Sequence, residues 1–521
     1  MWTRHRCRPT STSPAEYVSR YAIHHEEVPL PVVAGVDSST QSCKVELRDA
    51  DDGTLLGSAT APHPPAFAPS SEQDPAAWWQ ALRTALPAAL TDADVGADAV
   101  VALAVAAQCH GLVAMDAVDQ VIRPAKLWND TTSAPQLRRL TERIGGPAWI
   151  NAVGSLPTAA FTLSKVAWLA EVEPVNFARL RRILLPHDWL TWKLTGAAVT
   201  DRSEASGTGY YSAAEHRYRT EFLQLVDPNR DWADALPEVR PAAEPVGVLT
   251  VGAAAELGLS QGVLIGPGGG DQQAAAVGLG IEPSDVVYAF GTSGVVYTTS
   301  RHPVFDRNGI VDGVADMTDG YLPLVSTLNA ARVTDTFARL LGVDHARLAE
   351  LAIDAPVGSG PILAAFLDGE RKPNRPGARG LLAGLTSAVT REQLARAAFE
   401  GVILGLVEGE AHLNAAGVDT SGRLIATGGG TRSMGYPQLL ADLTGRDVLL
   451  ADAPEASARG ACVQAAAVAT SRPIGEVLRA WAPATRMAAT PRAGSAERRS
   501  GLRERYRLVA GWDALDELGA W

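Results

Sequence analysis

The sequence predicts an α/β protein built as two related lobes that face one cleft. Three observations carry this reading. Short strand-like apolar runs alternate with Ala- and Leu-rich helical stretches, the pattern of α/β architecture. A strand, a turn of small residues and a second strand occur twice, around Asp37-Ser38-Ser39-Thr40 and around Gly291-Thr292-Ser293-Gly294. A chain of 521 residues exceeds what one core usually serves, so two or three domains are expected.

The first unit is expected over 31–282 and the second over 283–475. Identity between them is too weak to be read as a repeat. In the first, strands are expected at Val32–Ala34, Val45–Arg48, Val100–Val105, Ile183–Leu185 and Val263–Ile265, with helices at 75–90, 134–143 and 161–171. In the second, Val286–Phe290 and Val295–Tyr297 read as strands, and helices at 391–415 and 455–470 are expected to close the lobe. The tail, 476–521, reads as helical, chiefly over 498–518. Residues 1–30 are Arg-rich but lack the apolar core of a secretory signal, and read as a disordered extension.

Composition limits the partners. The net charge is −12 and the pI about 5.4, so the surface repels nucleic acid and anionic membranes. A polyanionic ligand then needs a local device: a metal ion, backbone amides or a helix N-terminus. Four cysteines, Cys7, Cys43, Cys109 and Cys462, are scattered without disulfide or metal spacing, which fits a reducing cytoplasm. No apolar run is long enough to span a bilayer. Room is left for a homodimer, without fixing the oligomeric state.

The small-residue turns carry the chemistry. Backbone N–H groups in such a turn suit phosphate oxygens. A carboxylate beside them, Asp37, would repel phosphate unless a cation sat between, and Mg²⁺ is the usual one. The plain alternative is an Asp that caps the turn. The turn Gly291-Thr292-Ser293-Gly294 has no acid and would cradle phosphate directly, although an ordinary hairpin looks the same. Thr427-Gly428-Gly429-Gly430-Thr431-Arg432-Ser433 follows the strand-like Leu424-Ile425-Ala426. Its glycines would let a nucleoside approach the backbone, or would simply make a tight strand–helix connection. No G-x-x-x-x-G-K-[ST] is present, so a P-loop is not supported.

Gly268-Gly269-Gly270 delivers Asp271 to the start of a small-residue helix. An acid there could cap the helix. Three glycines are more than a cap requires and suggest that something comes close, so Asp271 reads better as a general base for a hydroxyl. Gln108-Cys109-His110-Gly111 lies at a strand end, where α/β proteins place ligand contacts, and its polar groups would suit a polyol. Glu72-Gln73-Asp74-Pro75 before Trp78-Trp79 reads as a helix start with a core aromatic pair.

Taken in order, these motifs resemble the FGGY carbohydrate kinases over about residues 31–475. GVDSSTQSCK resembles that family's first phosphate motif, FGTSGVV its second, ATGGGTRS its adenosine motif, and GGGDQQAAAVGLG the stretch holding its catalytic Asp. Gly380-Leu381-Leu382-Ala383-Gly384-Leu385, Gln393-Leu394 and Ala397-Ala398-Phe399-Glu400 fit its C-terminal signature. AQCHGLVAMD, EQDPAAWW, RPAKLWND, LLPHDWLTWKLTG, SEASGTGYY and FLDGERKP are similar to segments of its xylulokinase branch. Two departures stand out: Cys109 replaces the usual Met, and the N-terminal signature is met at Lys165, Val166, Trp168 and Leu169 but not at Ala160 or Val172.

The resemblance implies two actin-like (ribonuclease H-like) ATPase lobes with an interlobe cleft, ATP and Mg²⁺ as cofactors, and D-xylulose as acceptor at O5. Asp271 would be the catalytic base. Cys109, His110, Asp271 and Gln272 would hold the sugar. Asp37, Ser39, Thr40, Lys44, Gly291, Thr292, Ser293, Gly429, Gly430, Arg432 and Ser433 would hold the nucleotide, and Asp37 with Asp271 the metal. Another sugar or polyol kinase of the family, acting on ribulose, fuculose or arabinitol, is the nearest alternative. A silent sugar-binding regulator or an actin-like filament protein fits less well.

Overall fold

The computed structural model describes residues 31–492, 494 and 496–520; the expected extension at 1–30 and Cys7 lie outside them. Two seven-stranded sheets form the framework. In the first, Val32–Ser38 runs antiparallel to Ser42–Asp49 and parallel to Val100–Ala107, while Leu55–Pro62 extends the meander. In the second, Val286–Phe290 runs antiparallel to Gly294–Tyr297 and parallel to Leu424–Thr427, and Tyr321–Thr327 extends that meander. The two sheets repeat one plan, as expected of actin-like lobes. Val32–Ser38 is buried along its whole length, which is why it reads as a continuous apolar run and not as an alternation.

Helix ends obey local chemistry. Asp74 accepts from the Ala76 N–H at 2.9 Å and Pro75 takes the first position of the helix Pro75–Ala93, where its missing N–H costs nothing. Trp78 is fully buried and donates to Gln73 Oε1 at 2.8 Å. Thr390 and Gln393 form a capping box at the head of Arg391–Ala415, satisfying two N–H groups reciprocally.

Two expectations about the second half are corrected. The helix at 455–470, observed as Ala456–Thr470, does not close the second lobe. It packs beneath the first sheet, where Ala461, Cys462 and Ala465 share a core with Val33, Ala102 and Ala104. In exchange, the helix Asp271–Gly278 and the residues after it bring Ala276, Leu279 and Ile281 against Val287, Val295 and Ile425 of the second sheet. The two helices cross on Gly278 and Gly460. A Cβ on either would lie 1.9 Å from a carbonyl oxygen of the other helix, Ala456 O or Ala274 O, so each position admits glycine alone.

The tail is not wholly helical. Thr485–Ala489 is a strand on the edge of the second sheet, antiparallel to Val448–Ala451. The helix Ala496–Ala510 then buries Leu502 and Tyr506 in the second core, and a 3-10 turn, Asp513–Ala520, follows. Among the described residues no helix is long and apolar enough to cross a membrane.

Candidate active site

Asp271 is the first residue of its helix, and Gly270 occupies the cap position. The acid is therefore not the expected alternative, a cap, though its charge still favours the helix N-terminus. Its carboxylate is half-buried. Oδ1 accepts from the Gln272 N–H at 2.8 Å and from the Cys109 thiol at 3.3 Å. Burial pushes its pKa up to about 6, near where a base for neutral-pH chemistry should stand.

The glycine run before it has a different reason from the one expected. What comes close is protein: a Cβ on Gly268 would lie 2.6 Å from Val105 O and 2.7 Å from the His187 ring, on Gly269 2.8 Å from Met317 Sδ, and on Gly270 2.9 Å from Cys109 Sγ. Gly268 also has φ +85°, which side chains rarely adopt. The run seats Asp271 by close packing against the strand Val100–Ala107 and against the second lobe.

Asp37 sits on the first strand rather than in the turn, opposite Lys44 on one side and Ala106 on the other. It is buried, and Oδ1 has no hydrogen-bond partner among the described residues. Burial, and then the Asp271 charge, push its pKa up to about 7 against the lowering effect of Lys44. Lys44 Nζ pairs with Glu455 at 2.6 Å, and Arg432 lies near enough to oppose the Lys44 charge. Residues from both lobes thus meet around Asp37.

No group of three or more His, Cys, Asp or Glu side chains among the described residues could hold a metal by itself. The donor set fits a hard cation that arrives with its own ligands: one orphaned, buried carboxylate oxygen beside a second acid.

Ser39 Oγ donates to Ser42 O at 3.2 Å and closes its own turn. Thr40 Oγ1 accepts from Trp128 Nε1 at 2.9 Å and donates to Gln108 Oε1 at 3.4 Å, so this hydroxyl is engaged within the first lobe. In the second hairpin the Gly291 N–H donates to Ser293 O and its carbonyl accepts from Ala331, both at 3.1 Å. The tip residue Thr292 is exposed and Ser293 half-buried. Gly429 is exposed with open space above it, whereas Gly428 (φ +90°) and Gly430 pack on Phe290 at the base of that hairpin. Ser433 is half-buried and Arg432 exposed on the same loop.

His110 has a left-handed backbone, φ +66°. Its ring stacks on Phe161 at 4.9 Å between centroids. Its N–H donates to Glu204 Oε1 at 2.9 Å, and Nδ1 lies 3.6 Å from the same oxygen. Burial, with Lys165 and Arg371 nearby, lowers its pKa to about 3. It is thus a neutral hydrogen-bonding group, suited to hydroxyls.

Residues 32–278 match the FGGY family of carbohydrate kinases, N-terminal domain, and 286–469 its C-terminal domain. The chain belongs to the FGGY family of carbohydrate kinases. It is 40% identical to the xylulose kinase of Streptomyces coelicolor over 87% of this chain and 91% of that one. Identity to the xylulose kinase of Escherichia coli is 34%, over 80% and 85%. Among solved structures, the xylulose kinase of Bifidobacterium adolescentis superposes with a TM-score of 0.80 at 37% identity, covering 92% of this chain and 99% of that one. The gluconate kinase of Lactobacillus acidophilus shares the fold, with a TM-score of 0.84 at 20% identity over 93% and 98%.

In this FGGY chain the residues that orient the site are partly ones the motifs did not single out. Glu204 and Phe161 fix His110, and Gly207 makes room for its ring, since a Cβ there would lie 2.4 Å from it. Gln73 links Thr40 O (2.9 Å) to Gln108 (3.3 Å). Glu204 and Gly207 lie in SEASGTGYY, so the stretch was visible but its geometry was not. A buried carboxylate behind a histidine leaves no spacing to read.

Proposed function

We propose that this FGGY chain transfers the terminal phosphoryl group of ATP to O5 of D-xylulose, giving D-xylulose 5-phosphate and ADP. The observation that carries the reading is Asp271: a half-buried carboxylate raised towards neutrality by desolvation, bonded to the residue before His110 and set beside Asp37. The printed names of the most similar relatives support xylulose over other acceptors. Among the described residues, Cys43, Cys109 and Cys462 are buried and free, which is compatible with work in a reducing cytoplasm.

Asp271 takes the proton from the sugar hydroxyl as its oxygen forms the bond to the γ-phosphorus. The bond to the β–γ bridging oxygen breaks, and ADP leaves with that electron pair. His110, held neutral, bonds sugar hydroxyls. The exposed turns at Thr292, Gly429 and Arg432 border the nucleotide. Mg²⁺, when bound with ATP, supplies charge neutralisation at the phosphate oxygens, and Asp37 is the residue that would hold it.

Asp37→Ala is expected to raise the KM for Mg·ATP by about tenfold or more, the size of one charge-assisted contact, while the sugar KM moves less. If sugar affinity collapses and nucleotide dependence stays as before, the roles assigned to Asp37 and the first hairpin are wrong. A panel of xylulose, ribulose, fuculose and arabinitol with coupled ADP detection tests the acceptor. Faster release with any sugar other than xylulose would replace xylulose in this reading.

A further inference from the structure

Two of the sequence segments that mark the chain, RPAKLWND and FLDGERKP, belong to different lobes and meet across the cleft. The guanidinium carbon of Arg371 sits 5.1 Å from the ring centroid of Trp128. Both side chains are half-buried, where such a contact is worth more than at an open surface.

Each end of this contact is tied to a phosphate hairpin. On the first lobe, Trp128 Nε1 donates to Thr40 Oγ1, whose hydroxyl reaches Gln108, the residue before Cys109 and His110. On the second lobe, Arg371 follows Glu370, whose carboxylate accepts from the N–H groups of Leu328 (2.6 Å) and Arg371 (2.7 Å) and from Asn329 Nδ2 (3.0 Å). Arg371 Nη1 also donates to Ser326 Oγ at 3.3 Å. The segment these groups hold is bonded to the second hairpin: Thr327 Oγ1 donates to Gly294 O at 3.3 Å, and the Ala331 N–H to Gly291 O at 3.1 Å. The guanidinium on the indole therefore links the Thr40 hydroxyl of the first hairpin to the segment bonded to the backbone of the turn at 291–294. The same guanidinium is close enough to His110 to contribute to its neutrality.

We propose that Arg371 is a positioning residue for phosphoryl transfer, acting through Trp128 and Thr40. Seated on the indole, it sets the register between the two hairpins over the bound sugar, so that the γ-phosphorus meets the sugar hydroxyl and not water. This rests on the phosphoryl-transfer reading above. Arg371 does not touch the reacting atoms; it fixes the distance between the two turns that would.

The test is a double-mutant cycle on the full chain with Arg371→Ala and Trp128→Leu, with Arg371→Lys as the conservative variant. kcat, sugar KM and the ratio of ADP released to sugar phosphate formed are read for each. Arg371→Ala is expected to lower kcat about 10–100-fold, the cost of a misplacement near 1 Å, with a sugar KM within about threefold of the parent. The ratio of ADP to sugar phosphate should rise above one. Arg371→Lys, which keeps a cation over the ring, should recover part of kcat. The double variant should fall no lower than the worse single variant, because one contact is lost either way. A kcat for Arg371→Ala within about threefold of the parent, an effect confined to KM, or losses that multiply in the double variant would each overturn the proposal. Should Trp128→Leu fail to fold, the two Arg371 variants decide it alone. A parent enzyme that releases no ADP with any sugar would instead strike the phosphoryl-transfer reading, and this inference with it.

Discussion

Asp271→Asn is expected to lower the turnover of sugar phosphorylation by about 10²–10⁴-fold, the usual worth of a general base. The substitution keeps the volume and can still accept from the Gln272 N–H and the Cys109 thiol, so the helix start should survive. What it removes is the capacity to take a proton. The parent enzyme should show the same dependence as a pH limb. The Asp271 pKa is raised to about 6, and the acid must be ionised to act, so kcat/KM should rise as pH increases through about 6 and fall below it. In the Asn variant the part of this limb owed to Asp271 should vanish along with the rate, leaving that of Asp37, whose pKa is also raised, to about 7. Near-parent turnover measured by coupled ADP release would remove Asp271 from the chemistry.

The second large effect is structural. Gly460→Ala is expected to destabilise the protein by about 3 kcal/mol or more, at the upper end of overpacking costs. The added methyl would meet main chain, with Ala274 O at 1.9 Å, Ala274 C at 2.6 Å and Ala274 Cα at 3.0 Å. No rotamer change relieves a clash with backbone. At about 2–4 °C per kcal/mol for a unit of 150–250 residues, and less for two interlocked lobes, this corresponds to a fall in Tm of up to roughly 10 °C. Gly501→Ala provides the control: that glycine lies within the helix Ala496–Ala510 with nothing within 4 Å of its would-be Cβ, so alanine there should stabilise by about 0.5–1 kcal/mol. Equal melting temperatures for the parent and Gly460→Ala would show that the two helices can separate without cost.

Much of the framework could be read from the residues. Both strand–turn–strand units, the helix Arg391–Ala415 and the placing of Asp271 at a helix start follow from local periodicity and glycine content, which act over a few residues. The misreadings share a cause: each depends on a partner remote in the chain. The run at 268–270 reads as ligand space until Met317 and His187 are seen against it. Nothing near Thr40 in the chain announces that Trp128 donates to its hydroxyl. Thr485–Ala489, with its exposed Thr485 and Arg486, does not read as a strand without Val448–Ala451 to pair with. Glu204 and Arg371 work through neighbours that no spacing rule links to them.

The exchange of helices between the two sheets has a consequence for synthesis. Gly35 of the first strand packs against the carbonyl of Ala458, and Cys462 donates to Glu46 O at 3.4 Å. Strands made early in this stretch of chain are thus completed by a helix made much later, with 416 positions between Glu46 and Cys462. At about 5–20 residues per second the nascent chain carries one bare sheet face for on the order of half a minute. Each half keeps the helix on one face of its own sheet, Pro75–Ala93 or Arg391–Ala415, but the exchanged helix on the other face comes from the other half. Any division of the gene between the two sequence domains would uncover one face of each sheet.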